Sequence, residues 1–185
     1  MIEIRRRRGG AVLLTVSSET MRGLRLVEVA LPGADLSRAP LTGCRLQSVD
    51  LTAADLGEAD LSHGQIVGCV LVRCDLFGAD LRRAEISESD FSGADLGHAV
   101  LRDAVLSAVT MIGANLRDAD LTRLTAAGVD FTDAHLHGAD FSGAVLEHAE
   151  LTDALYDERT QWPAGFSPRR RGARLVPNAN FGLPT

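Results

Sequence analysis

The sequence has few aromatic residues and no long apolar run. Phenylalanine, tyrosine and tryptophan make up 4% of its 185 residues, although 45% are hydrophobic. Large aromatic anchors therefore cannot be the usual filling of its core. No apolar stretch approaches the roughly 20 residues that a membrane-spanning helix needs, so we expect no membrane association. The length favours one domain with short tails.

Lysine is absent and cysteine is scarce. All 19 basic residues are arginine, and the cysteines number three. The start, MIEIRRRRGGAVLLTVSS, is a poor secretory signal, because its apolar part runs only from Ala11 to Val16 and Glu19 and Arg22 follow closely. So few cysteines without such a signal indicate a reducing compartment, and we expect a cytoplasmic protein.

A leucine-like residue returns at every fifth position over most of the chain. Every fifth residue from Met21 to Leu151 gives 27 positions, here named centres, of which 19 are leucine and none is polar. The position two residues before each centre from Leu26 to Leu151, here named the small position, is alanine in 15 of 26 places. A period of five fits neither a helix nor a half-buried strand. Kept this long, it indicates a solenoid whose units are stable only when stacked.

A second, longer period lies inside the period of five. The four valines at the small position, Val29, Val49, Val109 and Val129, are separated by four pentapeptides or by a multiple of four. Residues stacked on one another share a local space and therefore a size. The sequence thus predicts four pentapeptides per coil and a four-sided tube. Ala126, the one small centre, follows the unusually large Leu124, so this pair exchanges volume within one corner.

The pattern resembles the pentapeptide repeat family, whose consensus is A-[D/N]-L-x-x. GADLSRA, AADLGEA, GANLRDA and GADFSGA match it almost literally. The resemblance implies an all-β fold, a right-handed quadrilateral β-helix of about seven coils and roughly 30 Å in length. We expect the β-helix to span residues 21–156. Residues 1–20 would form a basic N-terminal cap, and residues 157–185 a C-terminal cap or dimerisation segment, because uncovered coil ends recruit other chains.

The sequence offers little chemistry. Cys69 and Cys74 are five residues apart, but both occupy small positions, as does Cys44, so we interpret them as core residues and not as a metal or redox pair. His135 and His137 point outward without a third metal ligand one coil earlier. We find no catalytic spacing of Ser, His and Asp, no phosphate loop and no room for a substrate inside a filled tube. We therefore predict that the protein is not an enzyme and binds no cofactor.

Charge is distributed unevenly along the chain. Residues 21–156 hold 21 acidic and 10 basic residues, whereas Arg5–Arg8 and Arg169–Arg171 make both ends basic. Aspartates recur at the same longer period on two neighbouring sides of the predicted tube. We name the two rows the first ladder (Asp35, Asp55, Asp75 and Asp95) and the second ladder (Asp60, Asp80, Asp120 and Asp140).

Two interpretations of the ladders remain open, and they are compatible because an aspartate can serve its turn and still present charge. Aspartate suits this position because its side chain bonds nearby turn amides, which would make it structural. A rod with rows of negative charge is also similar to duplex DNA, which bears one charge per about 1.7 Å of axis. The resemblance to quinolone-resistance and antibiotic self-immunity members implies a DNA mimic that binds a type II topoisomerase, DNA gyrase, protects it from inhibitors and does not itself bind nucleic acid. The alternative is a general protein-interaction or structural scaffold without a topoisomerase role.

Two features bear on the choice of partner. The quinolone-resistance members typically carry loops that project from the helix, whereas no insertion occurs here. Arg82 and Arg102 also interrupt one side of the predicted tube. Both departures weigh against a gyrase partner. Four apolar residues at outward positions would form a modest patch for protein contact: Val70, Val72, Phe77 and Ile112.

The segment after the repeats holds the residues expected to close the tube. The stretch from Asp157 to Trp162 is long enough for one helical turn before Pro163. The apolar residues beyond Tyr156 have no reason to lie free in a tail, so we predict that they cover the last coil. We also expect a homodimer through this end, because an isologous contact uses one patch twice. The predicted cap and dimer contacts are Trp162, Phe166, Leu175 and Phe181.

Overall fold

The computed structural model of the protein describes residues 1–177, most of which wind into a β-helix. A 3₁₀ helix spans Pro168–Arg171. The strands of the described residues are β1 (Ile2–Arg6), β2 (Val12–Val16), β3 (Arg25–Val27), β4 (Ala34–Asp35), β5 (Arg45–Gln47), β6 (Gln65–Val67), β7 (Glu85–Ser87), β8 (Val105–Ser107), β9 (Thr125–Ala127), β10 (Val145–Glu147), β11 (Leu155–Tyr156) and β12 (Arg174–Leu175).

One side of the tube is a parallel sheet. Within residues 1–177 it contains seven strands in the order β10-β9-β8-β7-β6-β5-β3, and every paired residue lies four pentapeptides from its partner. The other three sides are joined by single parallel bridges at the same step, such as Asp50 with Val70, before the chain reaches its last coil. The predicted right-handed quadrilateral β-helix, with four pentapeptides in each coil, is therefore confirmed.

The centres and small positions fill the tube. Leu76, Leu96 and Leu116 stack at steps of four pentapeptides and are completely buried. Leu124 and Ala126 are both completely buried as well, so the predicted exchange of volume between a large small-position residue and a small centre fits one corner. The interior is apolar and packed along its whole described length.

Every corner turns through a residue with a left-handed backbone. The residue two positions after each of the 27 centres, all of them described, has a φ between 51° and 71°. Seventeen of these residues are not glycine. None is β-branched or proline, because those side chains do not tolerate positive φ. Sequence analysis did not find this rule, although the absence of β-branched residues and proline at these positions was its signal.

A β-hairpin covers the N-terminal end of the tube. β1 pairs antiparallel with β2 and, on its other edge, with β4, where Arg5 faces Asp35 and Arg6 faces Ala34. Ile4 points into the core and is completely buried. The hairpin therefore occupies a free edge of the first coil that would otherwise be open to pairing with another chain.

The C-terminal segment adds an eighth turn to the seven coils of pentapeptides. Gln161 bridges to Asp140, so the segment between these two residues contains one residue more than four pentapeptides. Trp162 then takes the place of a centre beneath Phe141, with ring centroids 4.9 Å apart and planes 1° from parallel. The expected helical turn over Asp157–Trp162 is wrong, because this stretch forms a turn and a bridge.

After the 3₁₀ helix the chain returns to the tube. β12 pairs in parallel with β11, and Tyr156 faces Leu175 in the register. The predicted cap residue Phe166 stacks on Trp162 at 5.4 Å, and Leu175 is half-buried against the core. Phe181, the fourth predicted contact, lies outside the described residues. The described part of the chain has no helix long and apolar enough to span a bilayer.

Candidate functional site

The structure places the first ladder on one side of the tube and the second on the next. Successive members of the first ladder are joined by backbone bridges. In the second ladder Val100 lies between Asp80 and Asp120, so that ladder consists of two pairs. A further acidic row occupies a third side and alternates with Val70 and Thr110. Sequence analysis missed this row, whose signal was a step of eight pentapeptides: Asp50, Asp90 and Asp130, with Glu150 after them.

Each ladder aspartate uses one carboxylate oxygen to close its own turn. In all eight, Oδ1 accepts a hydrogen bond from the backbone N–H two residues later, over 2.8 to 3.3 Å. This is the local bond that makes aspartate favourable at turns. Every ladder aspartate therefore has the geometry that the structural interpretation requires. The hydrogen bond within the turn is enough to account for an aspartate at these positions.

The second oxygen, Oδ2, is free of this duty and faces other groups. Half of the ladder carboxylates form ion pairs with arginines of the described chain. The pairs are Arg7 with Asp55 and Asp75, Arg82 with Asp80, and Arg102 with Asp120. The arginines that interrupt the second side therefore bind its aspartates, and the negative charge of the ladders is partly compensated from within.

Two members of the second ladder have a pKa below the ordinary value. Burial raises the pKa of Asp60, but hydrogen bonds from Ser62 and Thr42 lower it by more. Burial likewise raises the pKa of Asp120, and the bonds from Thr122 and Arg102 outweigh it. Both carboxylates are therefore ionised throughout the physiological range, and the ladder keeps its charge at neutral pH.

The cysteines and histidines lie next to the ladders, and His135 continues the row of the first ladder beyond Asn115. Cys69 and Cys74 are free and buried, and burial raises the pKa of the Cys74 thiol to about 12. His135 and His137 are neighbours with ring centroids 6.2 Å apart, and burial lowers the pKa of both imidazoles. Among residues 1–177, no three His, Cys, Asp or Glu side chains are grouped so that they could hold a metal ion.

The outward apolar residues are partly brought together. Val70 and Ile112 are exposed on the side of the third acidic row, and Val72 on that side is half-buried. Phe77 lies around the next corner, where it is 48% exposed and meets the ring of His98 edge-on at 5.2 Å. Apolar contact area therefore lies beside the carboxylates on two sides of the tube.

The sequence profile of pentapeptide repeats matches eight copies in this chain, over residues 21–57, 54–93, 84–123 and 127–154. These segments cover well over half of the sequence. The chain belongs to the pentapeptide repeat family. No curated protein sequence matches it.

Several solved pentapeptide repeat proteins are similar in structure. The protein alr5209 from Nostoc PCC 7120 is 28% identical, with 69% of this chain and 84% of that chain covered and a TM-score of 0.37. HetL from Nostoc sp. strain PCC 7120, involved in heterocyst differentiation regulation, is 23% identical over 84% and 87%, with a TM-score of 0.39. QnrB1, a plasmid-mediated fluoroquinolone resistance protein, is 19% identical over 83% and 92%, with a TM-score of 0.35.

Proposed function

We propose that this pentapeptide repeat protein is a non-enzymatic, cytoplasmic DNA mimic that binds a type II topoisomerase, DNA gyrase, and protects it from inhibitors. The observation that carries the proposal is that the two oxygens of a ladder carboxylate have different roles. In Asp35, Asp95 and Asp140, Oδ1 holds the turn and Oδ2 forms no ion pair within residues 1–177, so it is available to face a partner. An aspartate can therefore serve the fold and present charge at once.

The density of charge supports the same proposal. A tube of about 30 Å at the ordinary strand spacing carries 21 acidic and 10 basic residues. Its net charge is then one per about 3 Å of axis, roughly half the density of duplex DNA. A basic cleft built for DNA attracts such a rod by long-range steering.

A general protein-interaction scaffold without a topoisomerase role is the second candidate. The observation that favours it is the internal pairing of four ladder aspartates, which lowers the charge presented to a partner. The two candidates differ in what they require of the unpaired carboxylates. Only a DNA mimic needs their charge, whereas a scaffold needs their hydrogen bonds alone.

We also propose that the protein is a homodimer through its C-terminal end. Trp162 and Phe166 stack on each other there, half-buried, over the completely buried Phe141, and Val176 is 40% exposed. A contact of this end with the same end of a second copy would be isologous, and it would double the length of the acidic rod.

The test is a gyrase supercoiling assay with and without a quinolone. The decisive variant changes Asp35, Asp95 and Asp140, which have no ion pair in the described chain, to Asn. Asparagine keeps the turn hydrogen bond and removes three charges. The matched control changes three glutamates near the sheet side to Gln and removes the same charge: Glu28, Glu88 and Glu147.

We expect the wild type and the glutamate control to modulate gyrase alike, and the ladder variant to lose most of the effect. Circular dichroism and melting should be the same for all three proteins. If both variants act on gyrase like the wild type, charge presentation by the ladders is wrong. If the wild type itself leaves gyrase unaffected with or without a quinolone, the topoisomerase proposal is wrong and the scaffold candidate stands.

A further inference from the structure

A groove on the first-ladder side holds the guanidinium of the chain's own Arg7. The Nε atom of Arg7 lies 3.0 Å from Oδ2 of Asp55, and its Nη1 lies 3.6 Å from Oδ2 of Asp75. The exposed ring of Phe77 lines the same groove, together with Glu58, which is itself paired with Arg38 at 3.0 Å. Carboxylates beside an aromatic ring are the groups that recognise an arginine side chain. We propose that this groove, here named the Arg7 groove, binds an arginine side chain of a partner protein and that Arg7 occupies it as an internal competitor.

The two carboxylates are positioned for a guanidinium. Each is fixed by its own turn, because Oδ1 of Asp55 accepts from Gly57 N at 3.0 Å and Oδ1 of Asp75 accepts from Phe77 N at 3.2 Å. Their Oδ2 atoms then face the groove from successive coils. A guanidinium reaches both oxygens through different nitrogens of one planar fork, whereas the ammonium of a lysine is a single compact charge. The groove therefore selects arginine over lysine.

The N-terminal hairpin does not depend on the side chain of Arg7. Its strand β1 is held by the burial of Ile4 and by backbone pairing with β4, and the backbone N–H of Arg7 donates to Gly33 O at 2.9 Å. The side chain of Arg7 is itself 54% exposed. Exposed ion pairs contribute little free energy, so a partner arginine with additional contacts displaces the Arg7 side chain while the hairpin stays on the first coil.

The inference is independent of the proposed function. It assigns the kind of side chain that the groove accepts, whichever protein carries that side chain. Its test contains no topoisomerase, so failure of the gyrase experiments and failure of this experiment are separate results.

The probe is a fluorescein-labelled peptide of alternating arginine and glycine with three arginines, and the measurement is fluorescence anisotropy at low salt. Arg7→Gln removes the competitor and should raise the affinity about three- to five-fold, the gain expected when a weakly self-occupied site becomes free. The matched control is Arg8→Gln, which removes the same charge from the same hairpin. Arg8 has no ion pair in residues 1–177, so the affinity should change by much less.

Two further measurements identify the site. Adding Asp75→Asn to Arg7→Gln should return the affinity to the wild-type value or below, whereas adding Asp90→Asn, on another side of the tube, should keep most of the gain. The matched lysine–glycine peptide should bind Arg7→Gln more weakly than the arginine peptide. Equal gains from Arg7→Gln and Arg8→Gln, or equal binding of the two peptides, would overturn the inference.

Discussion

Truncation of Leu96 tests the packing of the tube most sharply. Leu96 is completely buried, and its neighbours in the stack, Leu76 and Leu116, are completely buried too. Removing three carbons loses about 2.4 kcal/mol of transfer free energy. The cavity adds to this loss because hydrogen bonds between coils, such as Leu96 N to Asn115 O at 2.7 Å, keep the walls apart. We expect Leu96→Ala to lower the free energy of unfolding by about 3–4 kcal/mol.

Urea denaturation followed by circular dichroism measures this loss. The midpoint should fall while the slope of the transition stays constant. Val105→Ala is the control, because Val105 lies on β8 of the neighbouring coil and its side chain is 46% exposed, so the loss should stay within about 0.5 kcal/mol. A loss below about 1 kcal/mol for Leu96→Ala would refute the stack of centres at steps of four pentapeptides.

Three further changes test the corners, the ladders and the C-terminal end. Ala108 turns a corner at a φ of 52°, so Ala108→Val should lower the unfolding free energy by about 2 kcal/mol relative to Ala108→Gly in the same urea assay; equal stabilities would contradict the strain. Asp60 and Asp120 have a pKa below the ordinary 3.8 in the folded state. The stability that their charges give the protein is therefore complete above that pH and is lost as the pH falls through their folded-state pKa values. A melting temperature that stays constant on acidification would refute this. Trp162→Ala should lower the melting temperature and, by sedimentation equilibrium, convert a dimer to a monomer; an unchanged dimer would place the subunit contact elsewhere.

The period of the sequence was enough to predict the tube because the same local rule repeats at all 27 centres. One large and one small residue point inward in each pentapeptide, so an error at a single position changes little. Ala126 illustrates this, since its exceptional size was explained by Leu124 within the same corner. The step of four pentapeptides likewise predicted which residues stack, including both ladders.

The parts that sequence analysis missed depend on single residues and on contacts between distant segments. One additional residue before Gln161 shifts the register by one. The pentapeptide centred on Trp162 therefore does not match the period of five. The contact of Arg7 with Asp55 and Asp75 joins the N-terminal hairpin to the second and third coils, and no periodicity relates these positions. The N-terminal hairpin was expected only as a cap, because its pairing with β4 is equally non-local.

The division of labour between Oδ1 and Oδ2 could not be predicted from sequence either. The pattern indicated aspartates at turns and aspartates in rows, and the two roles were expected to be compatible, but it did not say which oxygen serves which role. In the structure the turn amide bonds Oδ1 of every ladder member, and in Asp55, Asp75 and Asp120 an arginine faces Oδ2, whereas Arg82 contacts both oxygens of Asp80. The proposed function therefore depends on what faces the second oxygen, which in four ladder members is an arginine of the same chain.

The most direct test of the proposed function is the affinity of the protein for purified DNA gyrase, measured as a function of salt and in competition with duplex DNA. A DNA mimic should bind more weakly as salt increases, and duplex DNA should displace it. The variant with Asn at Asp35, Asp95 and Asp140 should show a lower affinity and a shallower salt dependence. Binding that is unaffected by salt, by duplex DNA and by the variant would contradict the account and leave a scaffold whose aspartates serve the fold alone.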